Sequence, residues 1–292
     1  MMEFNLDQFK VRCSAIGDIL SESKSNMITP IQEDILARYR KKVDAGKALT
    51  GTQKDEMDFL ITKEKSGKKL VISDSCISYL MTEYAWLTEG MIPVGKEQLD
   101  LAAVKKGNMT ELDGISLLIQ VDKRPYKIHK DRIYNEFISG EIDAYDGESV
   151  MQAKCIVDNK SSWDYPTYLK KLHAKVDGDH KYQIKGYMDI TGARDGYVVH
   201  TLVDCPPELI ENARWALTRK LGAATPESPE VLALWPIWER SMVFGNIPVH
   251  KRVHKIKIEP FTTQEQRKVY DKVKVCREWL NNFHEEHQKR NL

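Results

Sequence analysis

Between residues 137 and 204 the hydrophobic period of the chain changes, and that change limits the folds open to it. Segments 137–145 and 149–158 read as two strands joined by a turn at Asp146-Gly147. In the second, Val150, Gln152, Lys154 and Ile156 alternate with Met151, Ala153, Cys155 and Val157. One face is mixed and the other apolar, the pattern of a half-buried strand. Segment 163–190 predicts a helix interrupted at Asp177-Gly178-Asp179, and 196–204 a third strand. The order β-β-α-β demands a sheet with a helical crossover packed on it.

The flanks are helical. Pro30 opens a run with Ile31, Ile35, Leu36 and Tyr39 at helical spacing, closed by Gly46 and Gly51. Segment 52–65 predicts a second helix. Ser73 opens a third, with Cys76, Ile77, Leu80, Met81 and Tyr84 on one stripe and Gly90 at its end. Segment 96–104 predicts another helix. Pro206-Pro207 begins one that ends at Gly222, and 252–259 reads as a strand. Thr262-x-x-Glu265 is a capping box before a last helix with Val269, Val273, Cys276, Leu280 and Phe283 on its stripe. The expected fold is an α/β core, 111–222, in a single domain spanning 1–292. A mainly helical part, 1–110, precedes the core, and a basic part, 223–292, follows it.

A chain of 292 residues buries roughly three quarters of its unfolded surface and needs no covalent staples. Lys plus Arg number 44 and Asp plus Glu 43, a net of +1, which excludes a protein that coats polyanions by bulk charge. The neutrality hides an asymmetry: residues 240–292 hold 12 Lys/Arg against 6 Asp/Glu. The five cysteines are at least 50 residues apart, so no local zinc knuckle is expected, and a reducing compartment is. The N-terminus lacks an apolar signal region, and no apolar stretch approaches a membrane span. The expected location is the cytoplasm of a bacterial or phage-infected cell.

The chemistry concentrates in 139–187. Asp143 falls on the first strand of the hairpin and Asp158 at the end of the second, so pairing brings them together across 15 residues. Two such carboxylates repel unless a hard divalent cation lies between them. Lys160, two residues beyond Asp158, shares its strand face. The three suit phosphodiester hydrolysis: Mg²⁺ polarises the phosphate and acidifies a bound water, while the ammonium orients water or stabilises transition-state charge. Asn159 turns its own side chain away, which leaves its main-chain carbonyl as a further metal ligand.

Gly140-x-x-Asp143, Asp158-Asn159-Lys160 and Gln183-x-x-x-Tyr187 together resemble the PD-(D/E)XK nucleases, in their phage-type, lambda-exonuclease-like and RecB-like branch. The resemblance implies a restriction-endonuclease-like core, a small mixed sheet flanked by helices. It implies a metal-dependent deoxyribonuclease, most simply an exonuclease of linear duplex DNA in phage-type recombination or repair. The alternatives are a structure-specific endonuclease and a catalytically silent DNA-binding scaffold on the same fold. The implied cofactor is Mg²⁺, with Mn²⁺ as substitute. An upstream glutamate completes the metal site in that branch. Glu97 matches best, with Glu89 and Glu83 as alternatives.

Gln183 and Tyr187 would contact DNA or order the active centre. Arg12, Ser14 and Ser139 would approach a DNA-end phosphate, with Ser161 following the catalytic lysine. Implied partners are DNA and a single-strand annealing protein. Toroidal trimers in the family imply a homo-oligomer. Iron–sulfur relatives cluster their C-terminal cysteines, whereas here Cys276 alone follows Cys205, so no such cluster is expected.

Simpler readings stand beside these. Glu22-Ser23-Lys24 also fits (D/E)xK and reads as a surface turn, so Asp158-x-Lys160 gains meaning only from the ordered set. Trp163, Tyr165 and Tyr168 read as core or as a stacking surface for unpaired bases. The run 250–257 reads as a phosphate track or a solvated strand.

Overall fold

The computed structural model describes residues 6–21, 28, 30–66, 72–91 and 102–290. The chain divides into two compact units. One comprises 1–9, 17–92 and 264–292; the other comprises 10–16 and 93–263.

The first unit holds helices. Apart from α1 (Ile16–Leu20), they are α2 (Pro30–Asp44), α3 (Gly51–Ser66), α4 (Asp74–Glu89) and the C-terminal helix, α11 (Thr263–Arg290). Leu36 and Leu60 are buried on α2 and α3, and Arg40 clamps Glu64 with two hydrogen bonds of 3.0 and 2.6 Å. Ser73 caps α4 by accepting the Cys76 N–H, and Gly90 ends it at φ 66°, a conformation glycine adopts without strain. The buried stripe of α4 is Cys76, Tyr79, Leu80, Glu83 and Tyr84, whereas Met81 is exposed. Cys76 and Cys276 bring their sulfurs to 3.8 Å, and Tyr84 meets Phe283 edge-on at 5.0 Å. No helix among the described residues is long and apolar enough to cross a membrane.

The second unit holds two sheets. Helices α5 (Ala102–Met109) and α6 (Glu111–Asp122) precede short strands β2 (Lys127–Ile128), β3 (Ile133–Tyr134) and β4 (Ile138–Gly140). Then come β5 (Ala144–Gly147), β6 (Ala153–Ser161), α7 (Tyr165–His173), α8 (Gly178–Thr191) and β7 (Asp195–Thr201). Helices α9 (Pro207–Leu221) and α10 (Pro229–Glu239) lead to β8 (Val253–Ile258). The large sheet runs β2-β5-β6-β7-β8, with β6 and β7 parallel and the other pairs antiparallel. The small sheet adds β1 (Val11–Arg12) beside β4, with β3 on the other side.

Three expectations change. The predicted strand 137–145 is two strands in two sheets, broken at 141–143. The break coincides with Gly140, where a Cβ would meet the Tyr187 ring at 2.3 Å. The hairpin forms, but β5 runs through Asp146-Gly147 and the turn is made by 148–152, with a register shift at Gly147. β6 is buried along most of its length rather than on one face, because strands flank it and helices cover both its faces. Helix α6 packs Ile115 and Leu118 against Cys155, Val157 and Val199 on one face. On the other, a Cβ at Gly196 of β7 would strike Met188 and Ile184 of α8.

Candidate active site

Strand β6 sorts the site by alternation. Asn159 faces α6, where Thr201 Oγ1 donates to its Oδ1 at 2.9 Å. A Cβ on Gly114 would stand 2.3 Å from Asn159 Nδ2. Gly114→Ala should therefore cost about 1–3 kcal/mol, because the buried Asn159 amide and Thr201 hydroxyl, hydrogen-bonded to each other, must give way. Urea unfolding checks this, and an unchanged midpoint would contradict the packing. Asp158 and Lys160 face the opposite side, over which α8 lies.

Asp143 lies in the bend before β5, not on a strand, and the Ala144–Val157 register sets it across from Asp158. Its Oδ2 accepts the Asn159 N–H at 2.7 Å. The Lys160 ammonium stands 2.9 Å from each Asp158 oxygen, but only Oδ1 has hydrogen-bond geometry. Asp158 is wholly buried and its Oδ2 makes no hydrogen bond. Lys160 brings charge to that oxygen but no hydrogen bond, which leaves its lone pairs open to a metal cation.

The electrostatics fit that reading. Burial, and then the facing Asp158, push the Asp143 carboxyl from 3.8 up to about 7, although Lys160 and the Asn159 N–H oppose the shift. Burial works against the Lys160 ammonium, but Asp158 and Asp143 outweigh it and hold its pKa above the ordinary lysine value. Glu111, the first residue of α6, adds its charge to both Asp143 and Lys160 while paired to Lys130 at 2.8 Å. Among the described residues no three His, Cys, Asp or Glu side chains form a ready metal cage.

Glu97 lies outside the described residues. Glu83 and Glu89 are on α4 of the other unit. On α8, Gln183 Nε2 donates to the Tyr187 hydroxyl at 2.7 Å, and Tyr187 is buried against Gly140. Burial first, then the Asp158 and Cys13 charges, raise the Tyr187 hydroxyl above its usual range. The buried Tyr187 ring thus packs within the fold, with its hydroxyl held by Gln183. Parallel pairing of β1 with β4 sets Arg12 opposite Ser139. Arg12 and Ser14 are exposed and Ser139 is buried. Ser161 accepts a hydrogen bond from Thr110 Oγ1 at 3.1 Å.

Two surfaces read from the sequence are weakened. Tyr168 is core, packed with Leu202 and Phe244, and Trp163 packs beside Cys205, Leu209 and Met242. In the basic run, Lys255 pairs with Asp122 at the end of α6 and Lys257 with Asp195 on β7, so neighbouring elements neutralise much of that charge.

No protein-family model and no curated protein matches the chain. Solved structures do. A phage-related exonuclease from Haemophilus somnus 129PT superposes with a TM-score of 0.60 at 18% identity, over 96% of this chain and 97% of its own. The chain has the fold of a phage-related exonuclease. The alkaline exonuclease LHK-Exo from Laribacter hongkongensis gives a TM-score of 0.55 at 10% identity, over 99% of this chain and 96% of its own. Its structure in complex with dAMP gives 0.54 at 10% identity, over 100% and 98%.

Within this exonuclease fold, sequence reasoning missed Glu111 and Thr110. The available signal was an acid opening an apolar helix, which reads first as compensation of the helix dipole.

Proposed function

We propose that the chain is a metal-dependent DNA exonuclease of the PD-(D/E)XK superfamily, acting on linear duplex DNA in phage-type recombination or repair. The observation that carries the reading is the clustering of half-buried Asp143 and Lys160 about the wholly buried Asp158 at the end of a central strand. The full-length likeness to exonucleases supports it.

Asp143, Asp158 and the Asn159 carbonyl would hold Mg²⁺ or Mn²⁺, with Glu111 in the role that Glu97 was expected to fill. The ion, when bound, neutralises the carboxylate pair and polarises the scissile phosphate. Lys160 is held by Asp158 with its charge secured, so its ammonium can orient water and stabilise the negative charge that grows on the phosphate. Arg12 and Ser139, set side by side by register, supply a place for a DNA-end phosphate. Gln183 and Tyr187 brace the wall opposite. The DNA partner, a single-strand annealing protein, assembly of several copies and a cytoplasmic setting complete the reading. A silent scaffold has no observation in its favour, because the three central positions carry competent side chains.

Calorimetric titration of Mg²⁺ at pH 8 tests the metal site. Wild type should bind, and Glu111→Gln should weaken binding about tenfold or more, by analogy with other groups supporting a metal site. Glu97→Gln, titrated beside it, decides which of the two glutamates completes the site. No heat with the wild-type protein would favour the scaffold.

A further inference from the structure

The sheet register extends the catalytic strand sideways. Lys160 on β6 pairs with His200 on β7, and His200 with His254 on β8, so their side chains form a row on one face of the sheet. Neighbouring strands lie about 4.8 Å apart, which puts His200 one such step from Lys160. Beside the row is a space of about 10 Å³. It is lined by His200, by His180 of α8, by Lys171 of α7, and by Lys175 and Asp177 of the connection between those helices. Such a space holds about one water, and one non-bridging oxygen of a phosphate has the same size.

His200 is the telling residue. It is only 6% exposed. Among the described residues its ring makes no hydrogen bond, yet its nitrogens keep solvent contact. A neutral imidazole brings one N–H donor, and a buried donor without an acceptor is costly. Burial, and then the cations Lys171, His180, His254 and Lys160, lower the His200 pKa from 6.5 to about 4. Burial and then Lys160 lower His180 as well, although Asp158 opposes them.

The lining selects an anion. Lys171 and Lys175 have no ion-pair partner among the described residues, whereas Lys255 and Lys257 of β8 are paired. The first turn of α8 borders the space and adds the positive end of its dipole. Asp177 is the carboxylate on this lining, but it is exposed and caps α8, accepting the Asp179 N–H at 3.1 Å. Two lysines, two imidazoles and a helix N-terminus around a space of one oxygen suit a phosphate group.

We propose that this corner of α7, α8 and β7 binds a backbone phosphate of the DNA strand, the one next to the phosphate held at Lys160, with Lys171 as its ion-pair partner and His180 and His200 as hydrogen-bond donors. The DNA context rests on the exonuclease reading; binding of a phosphodiester does not.

Binding of a fluorescent single-stranded thymidine decanucleotide to the full chain in EDTA, read by anisotropy across a salt series, tests the site. EDTA prevents cleavage and removes any metal-bridged contact. Lys171→Gln should weaken binding about tenfold and lower the salt slope by about one. His180→Gln should also weaken binding about tenfold, through a lost hydrogen bond to a charged group. Lys257→Gln, an equal loss of charge on β8, should leave binding unchanged. With Mg²⁺, a neutral methylphosphonate one linkage from the cleaved one should slow the wild type about tenfold and slow Lys171→Gln no further. Binding unchanged in either Lys171→Gln or His180→Gln, or weakened as much by Lys257→Gln, would overturn the site. Inorganic phosphate that binds with this dependence while the decanucleotide does not would make it a site for free phosphate and overturn the strand contact. A chain that binds the decanucleotide through these residues but does not cut DNA refutes the nuclease reading alone. One that cuts DNA while its binding ignores these substitutions refutes the site alone.

Discussion

Lys160→Ala should lower cleavage by about a thousandfold or more and also destabilise the metal-free protein. The first effect is the loss of a preorganised cation at the reacting phosphate. The second follows from burial. Among the described residues, Lys160 supplies the one hydrogen bond to the wholly buried Asp158 carboxylate. Deleting one partner of a buried pair leaves an uncompensated charge. The lysine side chain is 32% exposed, so solvent recovers part of that cost and the net loss is about 2 kcal/mol.

The double variant Asp158→Asn/Lys160→Ala separates the two effects. It removes both charges and should regain most of the stability while remaining inactive. Urea unfolding beside single-turnover digestion reads both quantities. An active single variant would remove Lys160 from the chemistry. A double variant no more stable than Lys160→Ala would remove the ion pair from the stability argument.

Asp143→Asn should be equally damaging to cleavage, about a thousandfold, and should abolish stabilisation by Mg²⁺. It also bears on pH dependence. The Asp143 carboxyl is raised from 3.8 in the open chain to about 7 in the fold. A raised carboxyl favours folding while protonated. Its contribution is therefore fully present below about pH 4 and is lost as pH rises through about 7.

A bound cation must displace that proton, so binding strengthens with pH over the same window. Thermal unfolding of the wild type should show Mg²⁺ raising Tm by several degrees at pH 8 and by much less at pH 5. In Asp143→Asn the Mg²⁺ shift should vanish at both. A larger shift at pH 5 would contradict the linkage.

Much of the site was legible because β-structure makes distant residues neighbours by simple rules. Asp158 and Lys160 share a face by alternation, and Asp143 meets them by pairing. What failed to read out depends on tertiary packing. The 137–145 strand looked continuous because Ile138, Ile142, Ala144 and Tyr145 are all apolar and all buried. Nothing local says that Tyr187 will press on Gly140, or that Asp143 will leave the strand to accept the Asn159 N–H.

Helix α6 was missed because Gly114 weakens its helical pattern, although that glycine exists to admit Asn159 and Thr201. Glu111 was lost with it. The basic run 250–257 looked like a phosphate track because its neutralising partners, Asp122 and Asp195, lie far away in sequence.

Digestion of end-labelled linear duplex beside the same sequence as a closed circle tests the central claim most directly. With Mg²⁺ the linear duplex should be degraded from its ends and the circle left intact, and EDTA should stop the reaction. Degradation of both forms would make the chain an endonuclease. No degradation of the linear duplex with Mg²⁺ or Mn²⁺ would contradict the assignment of Asp143, Asp158 and Lys160 as a hydrolytic centre.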